Sequence, residues 1–181
     1  MLMQNPQKQY PGISENAWIS ETAVIVGDVT IGDNVFVAPN AVIRADEPGS
    51  SIVIGNGCNV QDNVVIHALS NSQVIIGSST SLAHGCILHG PCRIGERCFI
   101  GFGAVVFDCI IENDTLVLHN ATVRGVEIPP GKVVLDGETI TKQEAASGLM
   151  DITQDLAEFK EGVIKINRAL VKAYKKRAKD V

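Results

Sequence analysis

One aliphatic beat runs through most of this 181-residue chain. Ile13, Ile19, Ile25, Ile31, Val37 and Ile43 fall six residues apart, and after a Pro/Gly/Ser insertion the beat resumes at Ile54, Val60 and Ile66. A second insertion precedes Ile76, Leu82, Leu88, Ile94, Ile100 and Val106, and a one-residue skip leads to Ile111, Val117 and Val123. No helix repeats every six residues. Six residues are three strand alternations, so one inward aliphatic returns at the same place on each flat face, and three such faces make one coil of a parallel β-helix with a triangular cross-section. Glycine follows the aliphatic at Gly32, Gly55, Gly77, Gly95 and Gly101, with Asp, Asn and Ser next, as bends require. The fourth residue after each aliphatic is small or narrow, as at Ala41, Cys58, Thr80, Cys86, Ala104 and Ala121. A thin prism filled by stacked aliphatics explains how a core forms with only 4% aromatic residues.

The beat stops after about Lys132 and the composition changes. Residues 1–140 are expected to form the β-helix and residues 141–181 a helical segment packed on its side: a short helix, a break near Gly148 to Asp151, then a long helix. Leu156, Phe159, Val163, Ile166, Leu170 and Tyr174 follow three- and four-residue spacing and predict the face that covers the prism. Lys175, Lys176, Arg177 and Lys179 suit a helix C-terminus. A formal charge of -5 without a basic stripe before the tail argues against nucleic acid as partner. No apolar run is long enough to span a bilayer and the amino end has no apolar signal region, so a cytoplasmic protein is expected.

Cys58, Cys86, Cys92 and Cys98 occupy the small inward slot and read as packing residues. Cys86, Cys92 and Cys98 are six apart, hence on three faces, which excludes a disulfide framework or a zinc-thiolate cluster built on them.

The repeat arithmetic places the histidines. Ile66 and Leu88 are 22 residues apart, one coil plus an insertion, so His67 and His89 share a slot on successive coils. Backbones there are roughly 4.8 Å apart, and two imidazoles that close can share a metal. His84 lies around a corner on the preceding face and is expected to complete the site from a neighbouring prism in a homotrimer. By the same count Arg44 stacks on His67, with Asp46 and Glu47 beside it, and Asp62 shares the slot of His84 next to Gln61. Arg44, Asp46 and Asp62 read as interface ion pairs rather than catalytic groups. Gln61 and Glu47 could orient a water or bind substrate oxygen, or simply hydrogen-bond at a corner. His119 has no stacked imidazole and reads as structural. Three neutral imidazoles would leave a divalent cation its full charge, which brings the pKa of a bound water to about 7 and makes it a hydroxide nucleophile.

Arg44-Ala-Asp-Glu47, Asn59-Val-Gln-Asp62, His67-Ala-Leu, Ser81-Leu-Ala-His84 and His89-Gly-Pro resemble the γ-class carbonic anhydrases, from about Pro11 through the last helix. The resemblance implies a left-handed parallel β-helix, a homotrimer, and zinc, or iron(II) or cobalt(II) in its place, held by His67 and His89 of one subunit and His84 of the next. It implies hydration of carbon dioxide to bicarbonate, with Gln61 and Glu47 as the active-site pair and Asn167 as a further match on the last helix. Arg44, Asp46, Asp62 and Asn59 match interface or site-organising positions. The family archetype carries a longer acidic loop after its first histidine, whereas here the segment from His67 to Gln73 is short and has no acid. A hexapeptide acyltransferase with a histidine base is the enzyme alternative, and a metal-binding scaffold of low activity is the other.

Overall fold

The computed structural model describes residues 1–177; Lys179 of the basic cluster lies outside the described residues. The chain winds as a parallel β-helix of seven coils, each contributing one strand to the face that runs from Trp18–Ile19 through Asn59–Val60 and Ser81–Leu82 to Val133–Val134. The other two faces are joined where Ile87–Ile94 and Val105–Ile111 run unbroken around a corner. All strand pairings between coils are parallel, and the aliphatic ladder is in register: Ile43, Ile66, Leu88, Val106 and Val123 stack on one face. Ile54, Ile76, Ile94 and Ile111 stack on the second, and Val60, Leu82, Ile100 and Val117 on the third. Ile13 and Ile19, in the first coil, are half-buried, and the remaining members of the beat are buried. Each such side chain contributes about 1.5 to 3 kcal/mol by leaving water.

Corners are set by residues in the left-handed region. Asn34, Asn40, Asn63 and Asn120 take φ between 54° and 59° there, and Gly85 takes φ 69° directly after His84. Asn is the non-glycine residue that enters this region at least cost, and stacked Asn side chains also bond the neighbouring corner: Asn56 Oδ1 accepts from the Asp33 N–H at 2.8 Å, Asn113 Oδ1 from the Glu96 N–H at 2.8 Å.

The β-helix extends to Thr139–Ile140, followed by α1 (Gln143–Ser147) and α2 (Gln154–Arg177). Fully buried Ala146 of α1 joins the prism core at its end. The 24 residues of α2 span about 36 Å, enough to run back along seven coils at roughly 4.8 Å spacing. Near its start Leu156 and Val163 pack on Phe99, Leu116 and Val133; near its end Leu170 and Val171 meet Trp18 and Phe36, with the Tyr174 ring 4.2 Å from that of Trp18. Among the described residues no helix is long and apolar enough to cross a membrane.

The seam is rolled relative to the expected stripe. Lys160, Ile164, Asn167 and Val171 are the buried residues of α2, while Phe159 and Ile166 remain 44% and 63% exposed. Polar anchors on the prism cause the roll. Lys160 Nζ reaches Asp114 Oδ1 at 3.1 Å, and Asp114 is also held by one edge of Arg97, Nε at 2.9 Å and Nη2 at 2.7 Å. Asn167 reaches Gln61.

These bonds, the one from Arg97 foremost, hold the Asp114 carboxyl below its ordinary value of 3.8, so the interaction stabilises the fold above that pH and is lost as pH falls through the lowered value. Asp114→Asn is expected to leave Lys160 buried without a counter-charge and to cost about 1 to 3 kcal/mol at pH 7. The variant's denaturation midpoint, followed by circular dichroism, should also fall less steeply than the parent's when pH is lowered below 4.

Candidate metal centre

Two polar clusters lie at opposite edges of one face. Strand pairing puts Arg44, His67, His89 and Phe107 in one outward column at the end of that face. His67 Nδ1 and His89 Nε2 are 3.2 Å apart. Two nitrogens bound at about 2.0 to 2.1 Å to a tetrahedral ion would be about 3.3 Å apart, so the spacing suits shared ligation as well as it suits a hydrogen bond. The His89 ring meets Phe107 edge-on with centroids 5.2 Å apart, which fixes its plane.

Acidic side chains close over His67. Arg44 Nη1 donates to Asp46 Oδ2 at 3.2 Å, leaving Asp46 Oδ1 3.4 Å from His67 Nε2. Glu47 Oε1 stands 3.5 Å from the same nitrogen. Neither contact has hydrogen-bond geometry: Asp46 Oδ1 and His67 Nε2 are buried atoms with no hydrogen-bond partner. Such groups are costly to leave unsatisfied. These orphaned atoms lie on the ring edge of His67 away from His89, whose Nε2 faces His67 Nδ1, so the fit to a divalent cation rests on the 3.2 Å spacing of the two imidazoles.

Glu47 owes its position to Ser70. Glu47 Oε2 accepts from the Ser70 backbone N–H at 2.7 Å and from its hydroxyl at 2.6 Å. The hydroxyl bond first and the backbone bond second hold the Glu47 carboxyl below the usual range for glutamate, so it stands ready as a carboxylate acceptor rather than as an acid. Ser70 was not among the candidate residues. Its offset of 23 from Glu47 equals that of His67 from Arg44, so the register carried the signal.

The second cluster occupies the corner where the third face turns into the histidine face. His84 Nδ1 is 2.8 Å from Asp62 Oδ2, an arrangement that places the ring proton on Nδ1 and leaves the Nε2 lone pair free. Beside it Gln61 Nε2 donates to Asn59 Oδ1 and, at 3.0 Å, to Asn167 Oδ1 on α2. Both amide protons are thus used and Oε1 remains as an acceptor. These groups floor a cavity of about 250 Å³ whose walls are Phe99, Phe102, Phe159 and Ile166. Half-exposed Phe102 was missed because an exposed aromatic has no periodic signature, whereas Phe159, equally exposed, was read as part of the helix stripe that covers the prism.

His119 lies below Phe102 in the His84 column, its ring stacked on that phenyl at 4.2 Å, and its Nδ1 accepts from the Phe102 backbone N–H at 3.0 Å. Asp62 and Arg44 are occupied within their own chain, by His84 and Asp46 respectively. Among the described residues of one chain, no three metal-capable side chains converge. His84 and His89 are separated by five residues of strand and corner, a reach of up to about 16 Å, and belong to the two different clusters.

Residues 10–45 and 73–107 match the family described as bacterial transferase hexapeptide (six repeats). Over 172 residues the chain is 41% identical to the carboxysome assembly protein CcmM of a Nostoc species, an alignment covering 90% of this chain and 31% of that longer protein. It is 36% identical over 192 residues to a carbonic anhydrase of Methanosarcina thermophila, with 94% of this chain and 77% of the relative aligned. A hexapeptide transferase family protein from Anaplasma phagocytophilum superposes with a TM-score of 0.83 at 26% identity, covering 96% of this chain and 97% of that one. A coil beat in register along seven turns, together with relatives at this level of identity, leads to one conclusion: the chain belongs to the hexapeptide-repeat family of left-handed parallel β-helices.

Proposed function

We propose that this chain is a carbonic anhydrase that assembles as a homotrimer and interconverts carbon dioxide and bicarbonate at sites between protomers. The observation that carries the reading is the division of the ligand set. The His67/His89 pair, with ring nitrogens 3.2 Å apart, lies at one edge of a face, and His84 with a free Nε2 lies at the other. His67 and His89 of one protomer and His84 of the next would hold the metal, zinc or, in its place, iron(II) or cobalt(II). When bound, the cation would supply Lewis-acid activation of water at neutral pH.

The chain's own residues account for the remaining work. Gln61, with both amide protons spent on Asn59 and Asn167, offers Oε1 as a fixed acceptor for a water or hydroxyl proton. Glu47, kept ionised by Ser70, offers a fixed carboxylate that can accept a hydrogen bond from a water or substrate hydroxyl at the His67 edge. Phe102, Phe159 and Ile166 give an apolar wall beside His84, suited to a small uncharged substrate such as carbon dioxide. A relative carrying the carbonic anhydrase name aligns across 94% of the chain, which supports the same reading.

Acyl transfer is favoured by one observation of its own. The Asp62–His84 contact at 2.8 Å, taken alone, is an oriented imidazole base beside an open cavity. Turnover of an acyl thioester by metal-free protein would support that reading and overturn the one proposed.

Metal analysis of protein purified without oxygen is expected to give one ion per chain and a trimeric mass by light scattering. His84→Ala should drop the metal content at least tenfold, as should His67→Ala and His89→Ala. A variant at position 84 that keeps its metal would exclude the shared site. Gln61→Ala and Asn167→Ala should retain the metal while hydration, followed by stopped flow, falls about 10- to 100-fold. Equal losses of metal and rate would instead show that the amide cluster only supports the fold.

A further inference from the structure

All five cysteines are free and buried, and three of them are isolated by their neighbours. Cys58 and Cys98 lie on either side of Thr80 in the stack, and Cys86 lies between Val64 and Ala104. Cys92 and Cys109 differ. The strands Ile87–Ile94 and Val105–Ile111 pair as Leu88 with Val106 and His89 with Phe107, then shift by one residue and resume as Cys92 with Cys109. The one-residue skip in the aliphatic beat before Ile111 is the source of this shift, and it brings the two cysteines into the inward slot of the same face on adjacent coils. Strand spacing of roughly 4.8 Å lies inside the Cα separation of about 4.4 to 6.8 Å that a disulfide spans. The two thiols are also the least shielded of the five, at 4% and 6% exposure against 0 to 1% for the rest. Both line a cavity of about 750 Å³ that opens between Asn71, Gln73, Pro91 and Asp108.

We propose that Cys92 and Cys109 form a reversible dithiol–disulfide site, oxidised through this cavity by a small-molecule disulfide. One cysteine releases its proton and its sulfur attacks the oxidant RSSR, breaking the S–S bond and expelling RS⁻, which takes up a proton. The second cysteine, deprotonated in turn, attacks the mixed disulfide and expels the other RS⁻, closing the Cys92–Cys109 bond. Two electrons pass from the protein to the oxidant and two RSH leave. The contact with Cys109 and burial push the Cys92 thiol well above its usual range, so exchange is slow at neutral pH and faster in alkali. The bond would tie adjacent coils together three residues from His89 on one strand and two from Phe107 on the other.

Incubation of the full chain with cystamine at pH 8.5, followed by unfolding and alkylation with iodoacetamide, tests the site. Of the five cysteines, all should alkylate in untreated protein and three in treated protein, with a mass loss of about 2 Da before alkylation and a Cys92–Cys109 cross-link in the digest. Dithiothreitol should restore the fifth and fourth thiols. Cys92→Ala or Cys109→Ala should abolish the cross-link and trap a cystamine adduct on the remaining partner, whereas Cys58→Ala should leave it intact. A cross-link between any other pair, adducts on both cysteines without closure, or five free thiols after prolonged treatment would overturn the proposal.

Discussion

The lateral register between coils is the constraint on which everything else in this protein rests. A parallel stack at roughly 4.8 Å forces each inward position to sit directly above its equivalent in the next coil. One side-chain type must therefore satisfy the same packing demand seven times over, which is why Ile, Leu and Val recur and why the small slot stays small. A slip of one residue would turn every inward side chain outward. The outward positions inherit the same discipline at no extra cost. His67 stands over His89 because Ile66 stands over Leu88, and Asp62 stands over His84 because Val60 stands over Leu82. The core thus places the polar chemistry on the surface without any dedicated structural element.

Corners translate this register into function. Gly85 takes the left-handed conformation directly after His84, as Asn63 does after Asp62 on the coil before. The stacked pair is held at the edge of the prism, where a flat strand would have aimed it along the face. α2 then adds what the prism lacks. By setting Asn167 against Gln61 it orients an amide that a bare corner would leave to solvent, and the burial of Lys160 on Asp114 sets the roll that brings Asn167 there.

Much of this was readable from the amino acids because a six-residue period converts sequence distance into spatial position. Offsets of 22 and 23 were enough to stack Arg44, His67 and His89, and applying the same offset to Glu47 leads to Ser70. Interruptions of the period were harder to read. The skip before Ile111 is one residue long and looks like a blemish in the beat, yet it sets Cys109 rather than Ile110 beside Cys92. The seam of α2 was misassigned at Phe159 and Ile166 for a different reason: apolarity says that a side chain gains by being covered, not by what. Lys160 and Asn167 took the buried positions because charge-assisted and amide hydrogen bonds to Asp114 and Gln61 were available to them.

The exposure of Phe102, Phe159 and Ile166 bears on the proposed assembly. These side chains surround the cavity that holds His84, at the edge opposite the His67/His89 pair. Under the proposed reading, keeping the prisms parallel and setting the His67 edge of one against the His84 edge of the next covers this apolar rim and supplies the missing imidazole in a single contact. That contact joins two different surfaces, so it must either close into a ring or propagate. In the proposed homotrimer it closes after three copies, and each interface would hold one complete ligand set. On that reading the uncovered aromatics and the divided histidines would have one cause: both would be halves of an interface that a single chain cannot form with itself.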